Sequence, residues 1–282
     1  LWPGWLLGRH QDLNMTKAKL EMVSKAALKA CATPIGLKQG FIDDPQHCDF
    51  EPEQLLCKEA ETADCLTAGQ VELMKQLYRG PINPRTQEVI FPGVAKGNEN
   101  LLGDFVDGQA FPVALDLFKY AAFQDPDWDW TTMDWDKTVN EAVNRLGPLL
   151  HVDSNLTAFF DRGAKLLLYV GWNDFHNGQE LIDYYQSLLR DSGKAARASA
   201  RLFLIPGMGH CYGGAGCDTF DKLATIDNWV EHGVGPQRIV ASKIEDGKVV
   251  RTRPLCAWPQ VARYAGKGDI DNADSYACVE VT

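Results

Sequence analysis

The chain has 282 residues, 45% hydrophobic and 23% charged, with a formal net charge of -10. That length accommodates one large domain, or a core with a sizeable insertion. The acidic balance argues against nucleic acid or an anionic membrane as partner, because like charges repel. No apolar run approaches the roughly 20 residues that cross a bilayer.

Helical patterns and long irregular stretches fill the chain up to about residue 155. The chain opens on Leu1 with no charged segment leading into an apolar one, so no signal peptide is visible. It reads as a processed chain or a fragment. Leu20, Val23, Ala27 and Leu28 recur at helical spacing and predict a helix from Thr16 to Cys31. Thr67 followed three residues later by Gln70 is a capping-box start for a helix carrying Val71, Met74, Leu77 and Tyr78. Glycine, proline and asparagine between Gly80 and Gly108 predict loops. The acidic stretch Asp125–Asp136 holds Trp128, Trp130 and Trp135, candidates for an aromatic substrate pocket or for packing. Thr138–Leu150 again has helical spacing.

Beyond residue 155 the pattern becomes regular. Ala164–Val170, Arg201–Ile205, Arg238–Ile244 and Val249–Thr252 read as strands, and Gln179–Leu189 and Thr219–His232 as helices. Strands alternating with helices predict an α/β fold with a parallel sheet.

Eight cysteines with close sequential neighbours suggest disulfides made in an oxidising compartment. Proximity pairs Cys31 with Cys48, Cys57 with Cys65, and Cys256 with Cys278. The sequons at Asn14 and Asn155 are compatible with secretion. A structural zinc site would want a CxxC spacing, which is absent around His47, Cys48, Cys57 and Cys65.

Functional residues of α/β sheets sit in loops at the C-terminal ends of strands. Two such loops stand out: Gly171-Trp172-Asn173-Asp174, and Pro206-Gly207-Met208-Gly209-His210-Cys211. An Asp and then a His, each just past a strand, is the acid–base half of a Ser-Asp-His triad in α/β-hydrolase order. Asp174 would fix the tautomer of His210, and His210 would move the proton between nucleophile and leaving group.

The run Pro-Gly-Met-Gly-His-Cys-Tyr-Gly-Gly from Pro206 to Gly214 resembles the tannase and feruloyl esterase family, which includes hydrolases of small terephthalate esters. The resemblance extends to Asp43-Asp44-Pro45, Pro84-Arg85-Thr86, Phe91-Pro92-Gly93, the Asp174 loop and the Cys256–Cys278 tail. It implies an α/β-hydrolase sheet, here its C-terminal portion without the first strands, combined with a large mixed lid. Residues 1–151 would be lid and 152–282 the second part of the catalytic domain. It implies Asp174 and His210 as triad acid and base, and a serine acyl-enzyme on esters of aromatic acids such as gallate or ferulate. It also implies that Cys211 bonds a cysteine directly before the nucleophilic serine, and that the protein is secreted or periplasmic.

The chain departs from the family pattern at two places. None of Ser24, Ser154, Ser187, Ser192, Ser199, Ser242 and Ser275 sits in a Gly-x-Ser-x-Gly frame. The nucleophile is therefore expected outside this chain, in an N-terminal segment or in a second chain linked through Cys211, and the chain alone is expected to be inactive. If no such partner exists, Cys211 could instead pair with Cys217. The family's lid commonly carries a calcium loop with three aspartates, where this chain has Ala32, Ile35 and Gln39. No calcium, and no other cofactor, is expected. The alternatives are a disulfide-stapled binding module descended from such an esterase, and a metal-dependent hydrolase, for which no spaced ligand motif is present.

Overall fold

The computed structural model describes residues 1–281. In chain order the helices are α1 (Trp2–Arg9), α2 (Lys17–Cys31), α3 (Pro34–Gln39), α4 (Ala68–Arg79), α5 (Pro112–Asp116), α6 (Lys137–Leu150), α7 (Thr157–Phe160), α8 (Gln179–Asp191), α9 (Gly193–Ser199) and α10 (Lys222–His232). The strands are β1 (Leu166–Gly171), β2 (Ala200–Ile205), β3 (Arg238–Glu245), β4 (Lys248–Cys256), β5 (Gln260–Tyr264) and β6 (Tyr276–Glu280). Contacts divide the chain into two compact units, residues 1–26 with 50–152, and residues 27–49 with 153–282.

The first unit is helical and irregular. Its helix α4 begins with the reciprocal cap its sequence predicts: the Thr67 hydroxyl accepts from the Gln70 amide at 3.2 Å, and the Gln70 side chain accepts from the Thr67 amide at 3.0 Å. Val71, Leu73, Met74 and Leu77 of this helix are buried, as are Leu6 and Leu7 of α1 and Leu20 and Val23 of α2. Each such side chain stabilises the fold by about 1.5–3 kcal/mol relative to exposure. Two ionisable groups go inside with partners. The Lys19 ammonium donates to the carbonyls of Thr62 and Cys65 and pairs with Glu61 at 3.1 Å. The Glu99 carboxylate accepts from the Tyr78 hydroxyl at 2.6 Å and from the Gly97 amide at 3.0 Å.

The second unit is built on β1 and β2, which pair in parallel from Leu166 opposite Ala200 to Gly171 opposite Ile205. Helices α8 and α9 form the crossover that a parallel pair requires. Both faces are covered, so the strands are apolar at nearly every position. On one face Ala200 and Leu202 meet Phe160, Trp172, Ile182, Tyr185, Leu188 and Ala196, with Leu166, Leu168 and Leu204 alongside. On the other, Phe203 and Ile205 meet Met208, Phe220, Ile239, Ala241 and Leu255, with Leu167 and Tyr169.

The parallel arrangement stops at that pair. Strands β3 and β4 run antiparallel, Arg238 opposite Cys256, and β5 and β6 likewise, Gln260 opposite Glu280. The reason is local. Asp246 and Gly247 both adopt positive φ, 49° and 74°, the two-residue turn whose twist closes a hairpin.

Three disulfides are present, Cys31–Cys48, Cys57–Cys65 and Cys256–Cys278. The last ties β4 to β6, while Cys31–Cys48 closes the segment 27–49. Within that segment Thr33 caps α3, accepting from Gly36 at 3.0 Å and donating to Asp43 at 2.7 Å. Gln39 donates to Asp271 at 2.9 Å and accepts from Arg253. The Arg253 guanidinium in turn lies 3.9 Å from the Tyr276 ring centroid, so a fixed cation is stacked beside this loop.

Candidate active site

Two loops converge at the C-terminal ends of β1 and β2. The amide of Trp172 donates to Ile205 and that of Asn173 to Met208, both at 2.9 Å, so the loop after β1 is laced to the loop after β2. The approach is close enough to require glycine. A Cβ on Gly171 would stand 2.2 Å from the Met208 carbonyl oxygen. Gly207 combines a φ of +73° with a Cβ position 2.5 Å from the Gly216 amide nitrogen. The second loop then folds back on itself, Gly209 donating to Gly213 at 3.0 Å and Gly213 to Asp218 at 2.6 Å.

This lacing delivers Asp174 to His210. The His210 Nδ1 lies 2.8 Å from Asp174 Oδ2. A carboxylate only accepts, so the ring donates through Nδ1, which leaves Nε2 as the basic nitrogen. The other Asp174 oxygen accepts from the His176 amide at 3.0 Å. The Asp174 side chain is 5% exposed and that of His210 56% exposed, an anchored acid beneath an accessible base. Such a pair moves a proton to and from a group brought against the open side of the imidazole.

Three residues not singled out in the sequence, Phe175, His176 and Glu180, neighbour the pair. The Phe175 ring is 5.2 Å from His210 and 4.4 Å from His176, centroid to centroid. Their positions next to Asp174 in sequence were the available signal, but ring approach is set by the loop's fold. Glu180, on the first turn of α8, is half-buried with Oε1 enclosed and without a hydrogen bond. Burial first, then the charges of Asp174 and Asp183, push its carboxyl up to about 7.

The three tryptophan candidates have separate surroundings. Trp135 packs edge-on against Trp2 and Trp5, at 5.2 and 5.6 Å. Trp128 stacks on Phe118 at 5.4 Å and contacts Phe123 at 5.0 Å. Trp130 opens a short 3-10 turn. Cys211 is an exposed thiol at φ +65°, and Cys217 a buried one, with no bond between them. Among the described residues the hydrogen-bond partner of the His210 side chain is Asp174, not a serine.

A parallel strand pair carrying an Asp loop and then a His loop is an α/β-hydrolase-like arrangement. Feruloyl esterase B from Aspergillus oryzae superposes with a TM-score of 0.85 at 23% identity, over 98% of this chain and 61% of that one. The tannin acyl hydrolase from Aspergillus niger gives 0.72 at 18% identity, over 99% and 56%. At these identities the likeness speaks for the fold alone.

The chain belongs to the tannase and feruloyl esterase family, whose model matches residues 6–279. Its sequence is 32% identical to an uncharacterised esterase of Xanthomonas campestris pv. campestris, over 95% of this chain and 55% of the relative. It is also 32% identical to the mono(2-hydroxyethyl) terephthalate hydrolase of Piscinibacter sakaiensis, over 94% and 52%. Feruloyl esterase C of Talaromyces stipitatus is 28% identical, over 95% and 55%. The chain thus spans about half the length of the curated relatives it matches.

Proposed function

We propose that this chain supplies the acid and base of a carboxylic ester hydrolase, with His210 as general base and acid, Asp174 as its orienting carboxylate, and a serine outside residues 1–282 as nucleophile. The observation that carries the reading is the 2.8 Å hydrogen bond from the half-exposed His210 ring to the buried Asp174 carboxylate, on successive loops after parallel strands. In the first step His210 Nε2 takes the serine proton as the serine oxygen attacks the ester carbonyl. The imidazolium then protonates the departing alcohol, leaving an acyl-enzyme. Water, deprotonated by the same nitrogen, releases the acid and regenerates serine. Asp174 stabilises the imidazolium in each half-reaction.

The substrate class is an ester of a small aromatic acid, in keeping with the feruloyl esterase and terephthalate monoester hydrolase relatives. In this reading residues 1–151 are the lid domain and 152–282 the second part of the catalytic domain. Cys211, exposed and adjacent to the base, is the attachment point for the nucleophile-bearing segment. Three disulfides suit a secreted or periplasmic protein, and no helix among the described residues is long and apolar enough to cross a membrane. The test is hydrolysis of methyl ferulate, methyl gallate and a terephthalate monoester by the protein from its source, beside the isolated chain. Aromatic ester turnover in the first and none in the second is expected. No turnover of any ester by either would leave the binding-module reading in its place.

A further inference from the structure

The Asp174–His210 pair has a neighbour that ester hydrolysis does not use. His176 is exposed, two residues beyond Asp174, and its ring centroid lies 5.6 Å from that of His210. One potential ligand atom from each of Asp174, His176 and His210 lies within 4.8 Å of the others. Two imidazoles and a carboxylate are a donor set that zinc favours over hard cations, and a three-ligand set leaves a fourth position for water. Asp183 and Glu180 add carboxyl groups on the adjoining helix α8, and Glu180 feels the negative charge of Asp174 and Asp183.

We infer that Asp174, His176 and His210 form a zinc-binding site whose occupation disables the base. Zinc bonds of about 2.0–2.2 Å at tetrahedral angles put ligand atoms roughly 3.3–3.6 Å apart, so a pair at the 4.8 Å limit must close by about 1.2–1.5 Å. The exposed His176 and His210 rings can supply that by rotating about their side-chain torsions. The consequence for His210 does not depend on which nitrogen is taken. Coordination through Nδ1 displaces the hydrogen bond to Asp174, and coordination through Nε2 occupies the lone pair that accepts the proton. The metal here is a competitor for the base and plays no part in the ester reaction.

Calorimetric titration of the full chain with zinc chloride at neutral pH, followed by chelator, tests this without any esterase assay. One reversible site per chain is expected, and cobalt(II) in place of zinc should give the visible absorption of a tetrahedral N/O site. His176→Ala and His210→Ala should each weaken binding at least about tenfold. His47→Ala, which removes the other His–Asp contact of this unit at Asp44, and Cys211→Ser should leave it unchanged. No saturable binding, binding unaffected by His176→Ala, or binding lost with His47→Ala would overturn the inference. Because the metal is measured directly, failure here is distinguishable from failure of the ester reading.

Discussion

His210 is fastened to Asp174 by one carboxylate oxygen, while the amide of His176 holds the other at 3.0 Å. The acid is therefore fixed at both oxygens before any substrate arrives. Asp174→Asn keeps the shape but offers an amide where an acceptor is needed, and turns the imidazole toward the wrong tautomer. Ester turnover by the complete enzyme should fall by about 10,000-fold in kcat, with the far-ultraviolet circular dichroism unchanged. A loss under about tenfold would remove Asp174 from the mechanism.

Glu180 makes stability near the site depend on pH. Its carboxyl is raised from 4.5 to about 7, by burial first and then by Asp174 and Asp183. A raised folded value means that the stabilisation is complete below the unfolded value of 4.5 and is lost as pH rises through about 7. Glu180→Gln is neutral throughout. Its Tm should exceed that of the wild type above pH 7 and converge with it below 4.5. A constant offset across that range would contradict the assignment.

In the first unit the buried Glu99 carboxylate relies on the Tyr78 hydroxyl. Tyr78→Phe removes that donor and leaves the Gly97 amide, which reaches both oxygens, together with the Glu99 amide and the Ser24 hydroxyl. Urea unfolding should show a loss of about 1–3 kcal/mol. An unchanged midpoint would mean that another donor, such as water, replaces the hydroxyl.

Much of the second unit was legible because β1 and β2 pack against apolar clusters on both faces. Leu166–Val170 and Leu202–Ile205 are unbroken apolar runs, and the Asp174 and His210 loops follow directly from them. The Thr67–Gln70 cap was legible because its signal is local. Strands β5 and β6 were not. Every residue of β5 is half-buried, and its partner lies across a loop closed by the Cys256–Cys278 bridge, so neither alternation nor proximity marks them. The antiparallel β3–β4 hairpin was readable in principle from Asp246-Gly247, but helix–strand alternation pointed to a parallel sheet instead. The Trp135 cluster depends on Trp2 and Trp5, far away in sequence, and no local pattern announces it.

The two thiols should differ sharply. Cys217 is buried beside the Arg251 carbonyl and pushed up to about 11, mainly by desolvation. Iodoacetamide should modify the exposed Cys211 of the isolated native chain and spare Cys217 until the chain unfolds. In the unreduced protein from its source, peptide mapping should find Cys211 bonded to a peptide containing Gly-Cys-Ser. A Cys211–Cys217 bond in that protein would contradict this attachment.

The most direct measurement of the central claim is active-site labelling. A fluorophosphonate reacts with a serine that has been activated by a neighbouring base. Incubated with the protein from its source, it should form one adduct, on a serine outside residues 1–282, and His210→Ala should abolish it. The isolated chain should take no label. An adduct on Ser24, Ser154, Ser187, Ser192, Ser199, Ser242 or Ser275, or labelling that persists without His210, would contradict the account.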